Sequence, residues 1–216
     1  MMKEILRTIL TLLAVLGLFA LIIGVIVLLF MSSFATGAKP VIYLYPTETT
    51  EVTVKLELDG VFTSTYPNYN DGWTVTAQPD GTLTDAMGRE YYCLFWEALL
   101  PKGKMDFDEG WCVKGEDTAA FLEGKLKEIG LSDKEANEFI IYWLPRMEHN
   151  AYNLISFQTE AYEDVAKLIV TPQPDSVLRV FMTWKPVAKF VELKPQTIAP
   201  FIREGFAVVE WGGMEK

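Results

Sequence analysis

An uncharged run, TILTLLAVLGLFALIIGVIVLLFMSSFATGA, fills residues 8–38 and divides the chain into two parts. Its apolar portion, residues 9–31, exceeds the roughly 20 residues that a helix needs to cross about 30 Å of hydrocarbon. The run therefore predicts one membrane-spanning helix, with everything after it on a single side of the membrane. We expect an anchor in residues 1–38, a folded domain in residues 39–213 and a short tail in residues 214–216.

A retained anchor and a cleaved signal peptide are the two interpretations of this run. A signal peptide has a basic start, an apolar stretch of about 7–15 residues and a small-residue cleavage site. Lys3 and Arg7 supply the basic start, and residues 36–38 are small, but the apolar stretch is too long for this class. We therefore expect a retained signal anchor, with cleavage as the alternative.

Cations on either side of the run predict its orientation. Lys3 and Arg7 precede it, whereas only Lys39 follows closely. Short flanks that are rich in Lys and Arg stay in the cytoplasm. The expected topology is single-pass in the plasma membrane, with a cytoplasmic N-terminus and residues 39–216 outside the cytoplasm, at the cell envelope.

Small residues form a stripe inside the run: Ala14, Gly17, Ala20 and Gly24. Steps of three or four residues place them on one helix face, where small side chains let two membrane helices approach closely. The stripe predicts a seam for a homodimer. The alternative is that Gly and Ala are simply frequent in membrane helices.

The charge balance of the chain bounds its partners. The chain has 29 acidic and 19 basic residues and a formal net charge of −10. Because nucleic acid binding needs a basic footprint, we expect no nucleic acid partner. Neutral sugars, cationic peptides and other proteins remain as ligand classes.

Hydrophobic patterns predict strands first in the domain. Residues 51–58, EVTVKLEL, alternate apolar and polar side chains, as in a half-buried strand. Asp59-Gly60 is a hairpin signal that predicts a return strand in residues 61–66. A second hairpin is predicted from residues 168–171 and 177–184, and buried strands from residues 91–96 and 139–144.

Helices are predicted only in the second half of the domain. Residues 116–129 have helical spacing and end at Gly130, and a capping box from Ser132 to Glu135 opens a short second helix. The expected fold class is α+β, with a mostly antiparallel β-rich domain and two or three short helices after the anchor. We favour one continuous domain, with a sub-boundary near residues 101–110 as the alternative.

The two cysteines, Cys93 and Cys112, allow two interpretations. A disulfide persists outside the cytoplasm, and this pair is the candidate bridge. Cys93 also lies in an apolar strand, where a free thiol packs well. With His149 as the lone histidine, a zinc site would need carboxylate ligands, and we expect neither a metal nor a cofactor.

Familiar catalytic motifs do not occur in the chain, which has no GxSxG elbow, P-loop or HExxH helix. Glu97, Glu148 and Glu210 border aromatic-rich strands and are the catalytic candidates. A glycosidase uses two such carboxylates, about 5–9.5 Å apart. The alternative is that these carboxylates end their strands and face water.

Aromatic residues are abundant, and two tryptophans are the main candidates for ligand binding. Trp73 and Trp111 each lie next to a glycine at a loop edge, so we expect both to be exposed. Exposed rings beside carboxylates recognise sugars, or cations through the ring face. His149, in a polar loop, is the third candidate. Core packing is the alternative use of the rings.

Several segments of the domain carry a resemblance. They are KPVIYLYP at residues 39–46, GREY at 88–91, LFWE at 94–97, NEFI at 137–140, YWLP at 142–145, NAYN at 150–153 and GFAVVEWGG at 205–213. In these segments the chain resembles a family of uncharacterised, mainly bacterial exported proteins. The resemblance implies one domain over residues 39–213. It implies no activity and no catalytic residues, and His149 lies outside the usual pattern of the family.

An anchored, acidic, aromatic-rich domain without a catalytic set favours a non-enzymatic envelope protein. Such a protein would bind a wall glycan, a peptide or another envelope protein. The first alternative is a carboxylate-dependent hydrolase of envelope glycans. The second is a scaffold that self-associates through the membrane helix.

Overall fold

The structure is a computed structural model that describes residues 1–32, 34–101 and 105–216. It contains two compact units, Met1–Phe34 and Ala35–Lys216. The first unit is helix α1, Met2–Ser32, which is long and apolar enough to span a membrane. At 1.5 Å per residue it is about 46 Å long. The predicted N-terminal apolar helix is thus confirmed, and its retention as an anchor stays a prediction.

The second unit is built from strands and short helices. Its strands are β1 (Phe34–Tyr45), β2 (Thr50–Leu58), β3 (Val61–Tyr66), β4 (Trp73–Ala77), β5 (Leu83–Thr84), β6 (Glu90–Tyr91), β7 (Leu94–Pro101), β8 (Trp111–Lys114), β9 (Tyr152–Gln158), β10 (Ala166–Thr171), β11 (Ser176–Val187) and β12 (Ala207–Glu215). Its helices are α2 (Thr118–Ile129), α3 (Asp133–Met147) and α4 (Glu160–Val165), and a 3-10 turn, Gly115–Asp117, precedes α2.

These elements form three layers. A seven-stranded sheet has the order β3-β7-β1-β12-β11-β9-β8, and a five-stranded sheet has the order β10-β2-β4-β5-β6. One hydrophobic cluster lies between the two sheets, and a second lies between the seven-stranded sheet and helices α2 and α3. The strand pairs with a described register are antiparallel except β11 and β12, which are parallel. The predicted α+β class is confirmed.

The central strands of the middle sheet are buried on both faces. In β1, Ile42 faces the other sheet and Tyr43 faces the helices, and both are at most 2% exposed. A strand that is covered on both faces has a continuous apolar sequence and not an alternation of apolar and polar residues. This burial explains the apolar sequences of β1 and β12.

The predicted hairpin at Asp59-Gly60 is wrong. Strand β2 pairs with β4 and β10, whereas β3 pairs with β7 in the other sheet. The turn therefore carries the chain from one sheet to the other. A Cβ at Gly60 would lie 2.3 Å from the Leu99 carbonyl oxygen, so this crossing needs glycine.

The second predicted hairpin is also wrong. Strand β10 pairs with β2 in the five-stranded sheet, and β11 pairs with β9 and β12 in the seven-stranded sheet. Apolar and polar side chains alternate in the same way in the two strands of a hairpin and in two strands that face each other across a core. The local pattern therefore did not distinguish the two arrangements.

Residues 139–144 are helical and not a strand. The predicted capping box is present, because Ser132 accepts from the Glu135 N–H and the Glu135 carboxylate accepts from the Ser132 N–H. From there α3 runs to Met147, and steps of four place Phe139, Trp143 and Met147 against the sheet. The predicted helix end at Gly130 is confirmed, with φ of 114° in the left-handed region.

The region considered for a sub-boundary, residues 101–110, lies within a single compact unit. It connects β7 to β8, which belong to the same sheet. Residues 102–104 of this connection lie outside the described residues.

Gly213 supplies a stability test of the helix–sheet interface. A Cβ there would lie 2.6 Å from the Met182 carbonyl oxygen and 2.7 Å from Trp143 Cζ2. We expect Gly213→Ala to lower the free energy of unfolding by about 1–3 kcal/mol through overpacking. The measurement is unfolding of the full chain in detergent, followed by circular dichroism.

Gly124, in α2, is the matched control for this substitution. A Cβ at this position meets nothing within 4 Å. Gly124→Ala should raise the free energy of unfolding by about 1 kcal/mol, because alanine favours the helix. Equal effects of the two substitutions would contradict the packing of Trp143 on Gly213.

Candidate functional site

Glu210 is a core residue and not a surface carboxylate. It is 0% exposed, and its Oε1 accepts a 2.9 Å hydrogen bond from Trp96 Nε1. Its Oε2 accepts a 2.6 Å bond from Arg179 Nε. Both carboxylate oxygens accept hydrogen bonds, and neither is accessible to solvent. Glu210 therefore stabilises the fold.

Arg179 completes this buried pair. Its Nη1 donates to the Ala166 carbonyl oxygen at 2.6 Å, and its guanidinium lies 4.4 Å from the centre of the Tyr162 ring. Burial by itself would lower the pKa of Arg179, but the adjacent Glu210 carboxylate raises it above its ordinary value. The Arg179 guanidinium is therefore charged at neutral pH.

The other two carboxylate candidates do not approach Glu210. Glu97 follows Trp96 in β7, so strand alternation turns it to the opposite face of the sheet. Glu148 comes directly after α3, and its Oε1 lies 3.8 Å from the exposed His149 Nε2. The described contacts bring no two of the three candidates together, so the carboxylate pair of a hydrolase is not formed by them.

The tryptophan candidates also differ from expectation. Trp73 is 3% exposed and donates from Nε1 to the Pro67 carbonyl oxygen, so its predicted exposure is wrong. Trp111 is half-buried, with Lys125 Nζ 4.8 Å from its ring centre. The side chain of His149 is 88% exposed, and its described contact is with Glu148.

The candidate disulfide is not formed. Cys93 and Cys112 are both free thiols. Cys93 directly precedes β7, and Cys112 lies in β8, five strand positions away in the sheet. At about 4.8 Å per position they are about 24 Å apart, far beyond the reach of a disulfide.

An open cleft of about 550 Å³ forms elsewhere, on the helix-facing side of the seven-stranded sheet. We call it the aromatic cleft, and its lining residues are Lys39, Val41, Tyr66, Glu90, Tyr91, Tyr92, Cys93, Phe95, Glu97 and Tyr142. They come from β1, β3, β6, the link between β6 and β7, β7 and α3. Of the catalytic candidates, Glu97 alone lies in it.

The cleft exists because two helices cannot cover seven strands. Six spacings of about 4.8 Å make the sheet about 29 Å wide. Two helices side by side cover about 20 Å. Helices α2 and α3 pack on the strands from β8 to β1, which leaves the face of β7 and β3 open beside Tyr142.

A β-bulge directs Lys39 into the cleft. The register of β1 with β12 shifts between Ala38 and Val41, and Lys39 has a left-handed φ of 50°. Its Nζ lies 5.0 Å from the centre of the Tyr142 ring and 5.6 Å from that of Trp211. The cleft thus contains one ammonium group held over aromatic faces.

Tyrosines form the opposite wall of the cleft. The Tyr66 and Tyr91 rings meet edge to face, with centres 5.6 Å apart. The Tyr91 hydroxyl donates to Asp85 Oδ2 at 2.9 Å, and Asp85 Oδ1 accepts from the backbone of the same turn. The backbone hydrogen bond from Arg89 lowers the pKa of Asp85, so this turn is held by a carboxylate. Tyr66 is 55% exposed and offers its ring to a ligand.

The cleft contains no activated nucleophile among its described groups. Cys93 is 8% exposed, and burial, with help from the Glu138 carboxylate, raises the pKa of its thiol to about 12. A thiol with this pKa is almost entirely protonated at neutral pH, and the thiolate is the reactive form. Glu97 Oε1 accepts from Thr63 Oγ1 at 3.1 Å and remains half-exposed.

Rings, carboxylates and one ammonium group line the cleft and would suit a polar ligand with an apolar face. Sequence reasoning missed Tyr66, Glu90, Tyr91 and Tyr142. Three of these four residues, Glu90, Tyr91 and Tyr142, lie in segments 88–91 and 142–145, which the sequence analysis had singled out, whereas Tyr66 lies in none of those segments.

Comparisons with protein-family models, curated proteins and solved structures found no match to this chain. Within residues 1–32, 34–101 and 105–216, no three His, Cys, Asp or Glu side chains are arranged to hold a metal ion.

Mutation can separate the roles of Glu210 and Glu97, whose carboxylates lie on opposite faces of the seven-stranded sheet. Glu210→Gln leaves the buried Arg179 without its counter-charge, so we expect a loss of about 3–5 kcal/mol in the free energy of unfolding. Glu97→Gln, at a half-exposed position, should change it by less than about 0.5 kcal/mol. Denaturant unfolding of the full chain in detergent measures both. A stable Glu210→Gln protein would contradict the structural role of the ion pair.

Proposed function

We propose that the chain is a single-pass membrane protein of the cell envelope whose domain binds a carbohydrate in the aromatic cleft. The helix α1 is long and apolar enough to serve as the anchor. The observation that supports a carbohydrate ligand is the cleft itself, which has a volume of about 550 Å³ and is lined by aromatic rings and two carboxylates. The proposed role is binding and not catalysis.

A saccharide fits this lining better than the other ligand classes. The apolar faces of sugar rings stack on tyrosine rings, which combine an apolar body with a polar tip. Glu90 and Glu97 accept hydrogen bonds from sugar hydroxyls or amino groups, and Lys39 donates them. Nucleic acid is disfavoured, because both carboxylates would repel its phosphates.

The two alternative functions have less support. The hydrolase alternative loses its candidate pair, since Glu210 is buried and bonded to Arg179, while Glu97 lies on the opposite sheet face. The scaffold alternative depends on the stripe Ala14, Gly17, Ala20 and Gly24 in α1 and stays a prediction.

The proposed topology places the domain outside the cytoplasm and retains α1. Cys112 is partly exposed in β8, whereas Cys93 is buried. In intact cells that express the chain, a membrane-impermeant maleimide should therefore label Cys112. Cys112→Ser is the control and should abolish the labelling. Labelling only after lysis would contradict the orientation, and a labelled species that lacks residues 1–38 by mass would contradict retention.

Tyr66→Ala tests the cleft as the carbohydrate site. Purified cell-wall polysaccharide should retain the full chain in nanodiscs, and the substitution should weaken retention about tenfold, or about 1.4 kcal/mol. The physical reason is the loss of a ring that is 55% exposed in the cleft.

Phe190→Ala is the matched control for this experiment. Phe190 is 62% exposed, has one ring contact with Tyr152 and lies outside the cleft. It should bind like the parent chain. Equal losses from both substitutions, or no retention of the parent, would contradict the proposal. Release of new reducing ends from the polysaccharide would identify a hydrolase.

A further inference from the structure

Two carboxylates in the aromatic cleft have no cationic partner within residues 1–32, 34–101 and 105–216. Glu97 lies on the floor of the cleft in β7, and Glu90 lies on its wall, next to Tyr91. No ion pair between described residues includes either of them. Elsewhere on the surface, Glu57 and Glu109 each lie against a lysine ammonium group. The negative charge of the cleft therefore remains available to a ligand.

Lys39, the ammonium group that lines the cleft, does not neutralise these carboxylates by direct contact. Its Nζ lies 5.0 Å from the centre of the Tyr142 ring and 5.6 Å from that of Trp211. A cation in this position is stabilised by the ring faces. Lys39 thus occupies the side of the cleft next to α3, and the side formed by β3 and β6 has rings and carboxylates.

Strand register places an exposed ring within reach of Glu97. In the pairing of β3 with β7, Ser64 is opposite Glu97 and Tyr66 is opposite Phe95. Side chains on directly opposite residues share a sheet face, and diagonal neighbours such as Tyr66 and Glu97 are about 7–8 Å apart, within reach of long side chains. A sugar that stacks on the Tyr66 ring therefore holds its substituents close to the Glu97 carboxylate.

Glu90 brings a second carboxylate to the same ring. The rings of Tyr66 and Tyr91 meet edge to face, with centres 5.6 Å apart, and Glu90 precedes Tyr91 in β6. Both carboxylates thus border the place where a ligand would stack on Tyr66. A neutral ligand would leave both charges uncompensated there.

A protonated amino group matches this arrangement better than a hydroxyl or an acetamido group. It donates up to three hydrogen bonds. Hydrogen bonds between ionised partners are roughly twice as strong as neutral ones. The faces of the tyrosine rings also attract a cation. Acetylation of the amino group would remove both the charge and the attraction.

We propose that the aromatic cleft selects a carbohydrate that carries free amino groups, such as a glycan of hexosamine units without acetyl groups. This inference rests on the carbohydrate-binding function proposed above. The apolar face of one sugar ring stacks on Tyr66, and its ammonium group bonds to Glu97, with further attraction from Glu90. Lys39 donates to a hydroxyl group at the other side of the cleft.

Three tetrasaccharides with the same linkage test the selection. They are the β-1,4-linked tetramers of glucosamine, N-acetylglucosamine and glucose, which differ only in the substituent at C2. Isothermal titration calorimetry with the full chain in nanodiscs of neutral lipid, at about pH 6, keeps the amino groups protonated. We expect the glucosamine tetramer to bind about tenfold more tightly than each of the other two.

The double variant Glu90→Gln/Glu97→Gln tests the two carboxylates. Glutamine keeps an acceptor oxygen but removes the charge. The ratio of the affinities for the glucosamine and glucose tetramers should therefore fall from about ten to about one. If this variant does not fold, the comparison of the three tetramers on the parent chain still decides.

Glu48→Gln/Glu51→Gln is the matched control for overall charge. Both residues are exposed and lie outside the lining of the cleft, and the substitutions change the net charge by the same amount. The chain has a formal net charge of −10 and attracts any polycation at long range, so this control isolates the local effect. Its affinity ratio should stay at about ten.

The possible contrary results are distinguishable. Equal affinity of the parent chain for all three tetramers would overturn the selection of amino groups and leave carbohydrate binding in place. Binding of none of them up to about 10 mM would contradict carbohydrate binding itself, and this inference with it. An equal fall of the ratio in both double variants would assign the preference to the overall charge. Binding of tetralysine as tight as that of the glucosamine tetramer, with the same dependence on Glu90 and Glu97, would identify a cationic peptide as the ligand instead.

Discussion

The buried ion pair between Glu210 and Arg179 is the constraint on which the domain depends. Two charges taken out of water are tolerated only when good geometry and further hydrogen bonds compensate their desolvation. Trp96 and the Ala166 carbonyl provide those bonds, and the Tyr162 ring covers the guanidinium. The pair thereby joins β7, β11, β12 and the start of β10, so one interaction links both sheets and determines where β10 stands relative to β11.

Incomplete coverage of the middle sheet leaves part of each of its faces open. Its helix-facing side is wider than two helices, which leaves the aromatic cleft over β7 and β3. Its other side is wider than the five-stranded sheet, which leaves an open groove beside β10, where Val177 of β11 is 43% exposed. A seven-stranded sheet between narrower layers necessarily exposes part of each face. Tyrosines and carboxylates surround the first opening, and the second borders the edge strand β10.

The strands and helices were largely predictable, whereas their partners were not. The alternation in residues 51–58 predicted β2, and Gly130 predicted the end of α2. The turn at Asp59-Gly60 looked like a hairpin because its local chemistry suits one, yet its flanking strands belong to different sheets. Residues 139–144 looked like a strand because of their apolar run, although the capping box at Ser132 had already started a helix that continues through them. Among site residues, Glu97 was identified and lies in the aromatic cleft. Trp73 was assigned to the surface, although it is 3% exposed and its indole N–H donates to the Pro67 carbonyl oxygen.

By itself, the sequence determined the long apolar N-terminal helix, the acidic character and the α+β class, because each depends on composition or short-range periodicity. The tertiary structure alone decided which carboxylates are core and which are accessible. Trp96 and Glu210 bond to each other although they are 114 positions apart, and Glu97, next in the chain to Trp96, faces the other way. Local pattern cannot encode such pairings, since they arise only when distant strands are brought together around a shared core. The uncharged run provides a helix long and apolar enough for a membrane anchor, and the packing of the sheets determines which surfaces of the domain are open.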